Sequence, residues 1–119
     1  MQTGPDIPPL AVERIAHVVE LLSDGLFDEV LDECSDSQLK SDALQEAVRE
    51  YGRTIIPVPV ADMRRSIDAV QVRGRTHPTW SVRVQLWTRE EGRSDLTLEV
   101  TVSMDGGRVS IQLEDLHVL

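Results

Sequence analysis

Side chains that can carry a proton are few in this chain and scattered along it. Tyr51, Asp68, His77, Asp115 and His117 fall near expected strand ends and in loops. A general acid or base works only within hydrogen-bond reach of its proton. The sequence brings no two of these residues together, so capping and surface roles are the preferred reading and no catalytic residue is assigned. His17, His77 and His117 share no ligand spacing, and Cys34 is the only cysteine. A zinc-type site takes three or four Cys, His or carboxylate donors converging on one ion, so no metal and no cofactor is expected. Cys34 follows Asp32 and Glu33, whose negative charge opposes thiolate formation and argues against a reactive thiol.

Two surface features stand out instead. The carboxylates Asp24, Asp28 and Asp32 recur every four residues, with Glu29, Glu33 and Asp36 beside them. On a helix that spacing stacks like charges, each pair costing roughly 0.2 to 0.5 kcal/mol. A solvated face that confers solubility accounts for the series; a docking face for a basic partner is the functional alternative. A cation site is disfavoured, because helix-surface oxygens lack the looped geometry calcium takes. The second feature is Trp87, on the polar parity of its strand, where Arg83, Arg89 and Glu99 can join it in one patch. A half-exposed indole beside arginine is a common interface anchor, although packing under a neighbouring strand end would also account for it.

Charge placement narrows the partners. The chain has 119 residues and a net charge of −9. Residues 1–50 hold twelve carboxylates against Arg14, Lys40 and Arg49, whereas residues 51–119 hold nine charges of each sign. Nucleic acid and anionic membrane both require a basic footprint, so neither is expected as a partner. One cysteine and no stretch of about 18 apolar residues point to a cytoplasmic protein without a leader or a membrane span.

The elements that must position these residues begin at the prolines. Residues 1–7 read as a flexible tail and 8–119 as a single domain. Pro8 and Pro9 suit a first helical turn. Leu10 to Leu22 follows, with Val12, Ile15, Ala16, Val19 and Leu22 on one face and His17 on the exposed one. Gly25 ends that helix, Leu26 to Cys34 forms a second, and a third, capped by Ser37 or Ser41, runs to Tyr51 before Gly52. Pro57 and Pro59 argue against a helix from Arg53 to Ser66, which reads as an extended crossover. A short strand, Ile67 to Arg73, comes next.

The strongest signal is Thr79 to Met104. Trp80, Val82, Val84 and Leu86 alternate with polar residues, and Leu96, Leu98, Val100, Val102 and Met104 do so again after a charged loop from Arg89 to Asp95. That is the pattern of an antiparallel hairpin with one buried face. Pairing Leu86 with Leu96 sets Arg83 opposite Glu99. An Asp105–Gly106 turn would pair Val102 with Val109. A Gly106–Gly107 turn is the alternative, and is disfavoured because it sets Glu114 opposite Glu99. Parity changes once more between Leu113 and Leu116, where the last strand ends or bulges.

The expected fold is α+β, three N-terminal helices packed on a four-stranded antiparallel β-meander. This order, with a Trp-bearing strand opening the hairpin, resembles the cystatin-like or NTF2-like cone fold. The segments YGRTIIPVP, PTWSV, LWT and EGRSDLTLEV are similar to small bacterial domains of unknown function. The resemblance implies a concave sheet face beneath the helices, where an enzyme of this type would place acids, bases or hydrogen-bond donors. Here that face offers Trp80, Val82, Val84, Leu86, Leu98, Val100, Val102, Val109, Ile111 and Leu113, none of them titratable. The expected function is therefore a small acidic protein-interaction module, non-enzymatic, binding a protein partner or itself as a homodimer. The alternatives are an immunity-type antagonist of a basic toxin, steered by the acidic face, and a small-molecule binder or enzyme using the cone interior.

Overall fold

The structure is a computed structural model and describes residues 7–119. It is mixed α+β, with four helices and a curled sheet. Helix α1 (Pro9–Ser23) places Pro9 in its first turn, where the missing N–H leaves no bond unmade. Gly25, at φ +74°, follows it in the left-handed conformation. Helix α2 (Phe27–Glu33) comes next, then a two-residue strand, β1 (Asp36–Ser37). Helix α3 (Ser41–Tyr51) stops at Gly52, whose left-handed backbone sends its N–H back to the Val48 carbonyl. Neither Ser37 nor Ser41 caps α3; Lys40 holds the cap position, and the Ser37 hydroxyl is bonded to the backbone of Leu39. Of the expected tail, residues 1–6 lie outside the described residues, and Ile7 is buried in the core.

The extended crossover is corrected in two places. Ile55–Ile56 forms a short strand, β2, and Val60–Ser66 forms a fourth helix, α4. The prolines precede that helix and do not interrupt it: Pro59 occupies its cap position, where a proline removes no helical hydrogen bond. Asp62 in the first turn and Arg64 and Arg65 in the last match the helix dipole. Met63, fully buried, ties α4 to the core.

Strands β3 (Asp68–Gln71), β4 (Thr79–Thr88), β5 (Gly92–Asp105) and β6 (Arg108–Val118) form the expected antiparallel meander. The sheet nevertheless has six strands, not four. Its order is β1-β6-β5-β4-β2, with β3 also on β4, and β1 pairs with β6 in parallel. The charged loop shrinks to Arg89–Glu91, because Thr88 already pairs with Gly92. That turn is tied to the start of β2: the Thr54 backbone N–H and hydroxyl donate to the two oxygens of Glu90 at 2.8 and 2.9 Å, and the Arg89 N–H donates to the Thr54 carbonyl.

Register is right at Arg83, where parity set it, and wrong at the last turn, where charge was used to choose. Arg83 stands opposite Glu99, as expected. Leu86 is not in register with Leu96, because the ladder shifts between Gln85 and Trp87. At the far end Asp105 pairs with Arg108, so Gly106 and Gly107 make the turn and Val102 faces Ile111. A bulge moves the like-charge contact without removing it: one extra residue after Leu113 takes Glu114 out of line and sets Asp115 opposite Glu99, whose carboxylate Arg83 and His117 share.

The core lies between the sheet's inner face and the helices. Trp80, Val82, Val84, Leu86, Leu98, Val100, Val102, Ile111 and Leu113 are buried along the strands. Helix α1 lies against them, with Ala11, Val12, Ile15, Val18, Val19 and Leu22 at most 2 % exposed. At about 25 cal/mol per Å² of apolar surface, such burial is the main favourable term.

Candidate functional site

The bulge in β6 creates a cluster on the outer face of the sheet. Glu99 of β5 and Asp115 and His117 of β6 are brought side by side, with Arg83 of β4 next to them. The His117 imidazole Nε2 is hydrogen-bonded to Glu99 Oε2 and lies 3.8 Å from Asp115 Oδ2. The other Glu99 oxygen is 3.8 Å from Arg83 Nε. Glu114, displaced by the bulge, accepts a hydrogen bond from the Thr101 hydroxyl at 2.8 Å. Two basic side chains thus share one carboxylate that would otherwise face Asp115 alone. The donor atoms of Glu99, Asp115 and His117 lie within 4.8 Å of one another, a nitrogen and oxygen set that can hold a divalent ion. Arg83 competes for the same carboxylate.

His117 also borders a groove. Between α3 and the end of β6 there is a depression of about 300 Å³, lined by Ala47, Glu50, Tyr51, Leu96, Leu116, His117 and Val118. Leu96 and Leu116 make its floor, and Glu50 and His117 its polar rim. Tyr51, in the groove wall, donates its hydroxyl to the Glu91 carboxylate, 2.8 and 3.1 Å from its two oxygens. The groove runs beside the outer edge of β6. Strand β1 pairs only with Gln112 and Leu113, and among the described residues no strand pairs with that edge from Glu114 to Val118.

The residues singled out in the sequence are thus partly brought together. Tyr51 and His117 meet at the groove, and Asp115 joins His117 on the outer face. Asp68 lies on β3, and His77 is 3.9 Å from Asp105 beyond the opposite end of the hairpin. In the expected patch, Arg83 and Glu99 are neighbours. Trp87 is half-buried against the core opposite Ile56 of β2, with its indole Nε1 buried and unpartnered, and Arg89 sits in the adjoining turn.

The acidic stripe is shorter than its spacing implied. Asp28, Glu29, Asp32 and Glu33 lie on α2, but Asp24 caps α1 and Asp36 belongs to β1. Asp28 and Glu29 occupy the first turn, where the helix dipole favours a carboxylate. Glu33 turns toward α1, 3.6 Å from Arg14 and 3.8 Å from His17. Cys34 ends α2 half-buried, and burial, with Glu33 adding to it, pushes its thiol up to about 11.

Sequence reasoning missed the Glu99–Asp115–His117 cluster and the groove for one reason. Both depend on the bulge after Leu113. The parity change at Leu116 signalled it, but gave no way to choose between a bulge and the end of the strand.

Fold and site together define a small α+β domain with a buried apolar core, and with polar features on the outer sheet face and beside β6. The chain belongs to the family described as a domain of unknown function (DUF7668), which matches residues 19–119. That match begins inside α1 and takes in the remaining helices and the whole sheet. No curated protein and no solved structure matches the chain. Among the described residues, no helix is long and apolar enough to cross a membrane.

Proposed function

We propose that this chain is a non-enzymatic protein-interaction module that works through its surface. The observation that carries the reading is the apolar, buried interior. The inner sheet face is apolar and covered by α1, with Val12, Ile15 and Val19 fully buried against it, so the place where a cone-type enzyme would keep its chemistry is occupied by packing. We read the fold as a variant of the cystatin-like or NTF2-like cone, supported by helices stacked on one face of a curled antiparallel meander. It carries a fourth helix and two short added strands. Partners with a basic surface fit the net charge of −9. The exposed Asp28, Glu29 and Asp32 suit an immunity-type antagonist of a basic toxin, and the outer face around Arg83 and Glu99 is where a homodimer would form. A cytoplasmic setting accords with the lone, half-buried cysteine.

Reconstitution tests the reading: cross-linking in the native host names the protein held, and the two purified proteins are mixed and sized by light scattering. A complex of fixed stoichiometry, or a dimer of the chain alone at micromolar concentration, is expected. A monomer that forms no complex with any purified candidate sinks the reading. A second reading rests on the groove itself, whose volume of about 300 Å³ reaches the lower end of ligand pockets and whose rim holds Tyr51, Glu50 and His117. A small molecule bound there would raise the melting temperature of wild type but not of His117→Ala.

A further inference from the structure

We infer that the edge of β6 from Glu114 to Val118 binds an extended basic segment of a partner protein, which adds to the sheet as a further strand. The inference rests on the interaction-module reading and names the chemistry of the partner. An exposed strand edge is a row of unpaired backbone groups that either is protected or recruits another strand. The middle of β6 is covered by β1 at Gln112 and Leu113. Past that point the edge faces the groove instead. The wall opposite is α3, whose Ala47 and Tyr51 are set back far enough to leave the depression of about 300 Å³. A strand lying there would have the edge of β6 on one side and a helix on the other.

Alternation then fixes the sequence of the guest. Successive side chains of a strand point to opposite faces. Those on the inner side enter the groove, whose floor is Leu96 and Leu116, 1 % and 4 % exposed; an aliphatic or aromatic side chain suits it. Those on the outer side lie next to Asp115 and the bulged Glu114, with Glu99 one strand further in. Glu114 accepts from the Thr101 hydroxyl, and among the described residues the only ion pairs of the three carboxylates are with Arg83 and His117. Glu50, on the rim, has no ion pair among the described residues, and Glu91 behind it is held by the hydroxyls of Tyr51 and Thr88. The surroundings therefore select lysine or arginine alternating with apolar residues. A second copy of this chain is the less favoured occupant, since it brings the same net charge of −9 to an acidic edge.

Fluorescence polarisation with three labelled nonapeptides tests the inference on the full chain. One alternates lysine with valine, one alternates glutamate with valine, and one is the lysine peptide with proline at its central valine, which removes a backbone donor. The lysine peptide is expected to bind at least roughly tenfold tighter than either of the others and to weaken as salt rises. Ala47→Phe, which fills the groove from a half-buried position, should abolish that binding while leaving the far-ultraviolet circular dichroism and melting temperature unchanged. If Ala47→Phe unfolds the protein, Glu99→Gln with Asp115→Asn replaces it, and loss of the preference for lysine over glutamate is expected. Equal binding of the proline peptide would show ionic attraction without strand addition and overturn the inference. So would equal binding of the lysine and glutamate peptides, or a dimer that Ala47→Phe dissolves. Should a reconstituted partner still bind Ala47→Phe, the groove assignment fails while the module reading stands.

Discussion

Glu99 and Asp115 face each other across the β5–β6 ladder, two carboxylates at one register position, with His117 bonded to the first and 3.8 Å from the second. Like charges directly opposite in a sheet are destabilising by roughly 0.2 to 1 kcal/mol. Asp115→Asn removes the repulsion and leaves an oxygen able to accept from the Leu116 N–H, as Asp115 Oδ1 does. The variant is expected to be as stable as wild type or more stable, by up to about 1 kcal/mol in urea unfolding at low salt. A loss larger than that would mean Asp115 has a structural partner of greater weight than His117.

The Arg89–Glu91 turn predicts a pH effect of known sign. Hydrogen bonds from the Thr54 backbone N–H and hydroxyl favour the charged form of Glu90 and hold its carboxyl below the ordinary value of 4.5. A group whose folded value is depressed adds stability that is fully present above its unfolded value and is lost as pH falls through its folded one. Glu90→Gln should therefore be less stable than wild type at pH 7. The gap should close as pH drops below about 4.5, read as the urea midpoint against pH. A gap that stays constant down to pH 2 would count against the assignment.

Cys34 offers a direct chemical readout. With its thiol pushed from 9.0 to about 11, chiefly by burial, the thiolate at pH 8 is scarcer by roughly a hundredfold. Reaction with a disulfide reagent should be slower by about that factor in the folded protein than in denaturant. Equal rates in the two states would show the thiol to be open and unshifted.

Helix α4 depends on one side chain. Met63 is fully buried, whereas Val60 in the same helix is 41 % exposed. Met63→Ala is expected to cost about 2 to 5 kcal/mol, and Val60→Ala less than about 0.5 kcal/mol, both by chemical denaturation. Similar small losses at both positions would mean that α4 does not dock as described.

Periodicity revealed what depends on periodicity. The alternation from Trp80 to Leu86 and from Leu96 to Met104 announced the hairpin and its buried face, and Gly25 and Gly52 marked where two helices stop. The Arg83–Glu99 pair followed from parity alone. What stayed hidden has no period. Ile55–Ile56 and Asp36–Ser37 are too short to alternate, and each is a strand only because a longer strand offers it a free edge. Pro57 and Pro59 obscured α4 because a proline before a helix reads like a proline within one; Val60, Met63 and Ile67 at three- and four-residue steps were the available signal. The turn at Gly106–Gly107 was set aside on a like-charge argument; the inserted Glu114 still leaves a carboxylate, Asp115, opposite Glu99, and Arg83 and His117 offset it.

The parallel pairing of β1 with β6 brings Asp36 and Ser37 beside Gln112 and Leu113. Those partners are separated by most of the chain, and α1, which supplies one wall of the core, also rests against β6. The sheet can therefore be finished only after the last strand exists, and the entropy of closing that long loop must be met before the final contacts reward it. A nascent chain lacking β6 would leave α1 without one of the elements that cover its apolar face, α2, α4 and β2 being among the others. Folding of this domain is expected to be completed only when its distant segments meet, in the milliseconds-to-seconds range of nonlocal topologies.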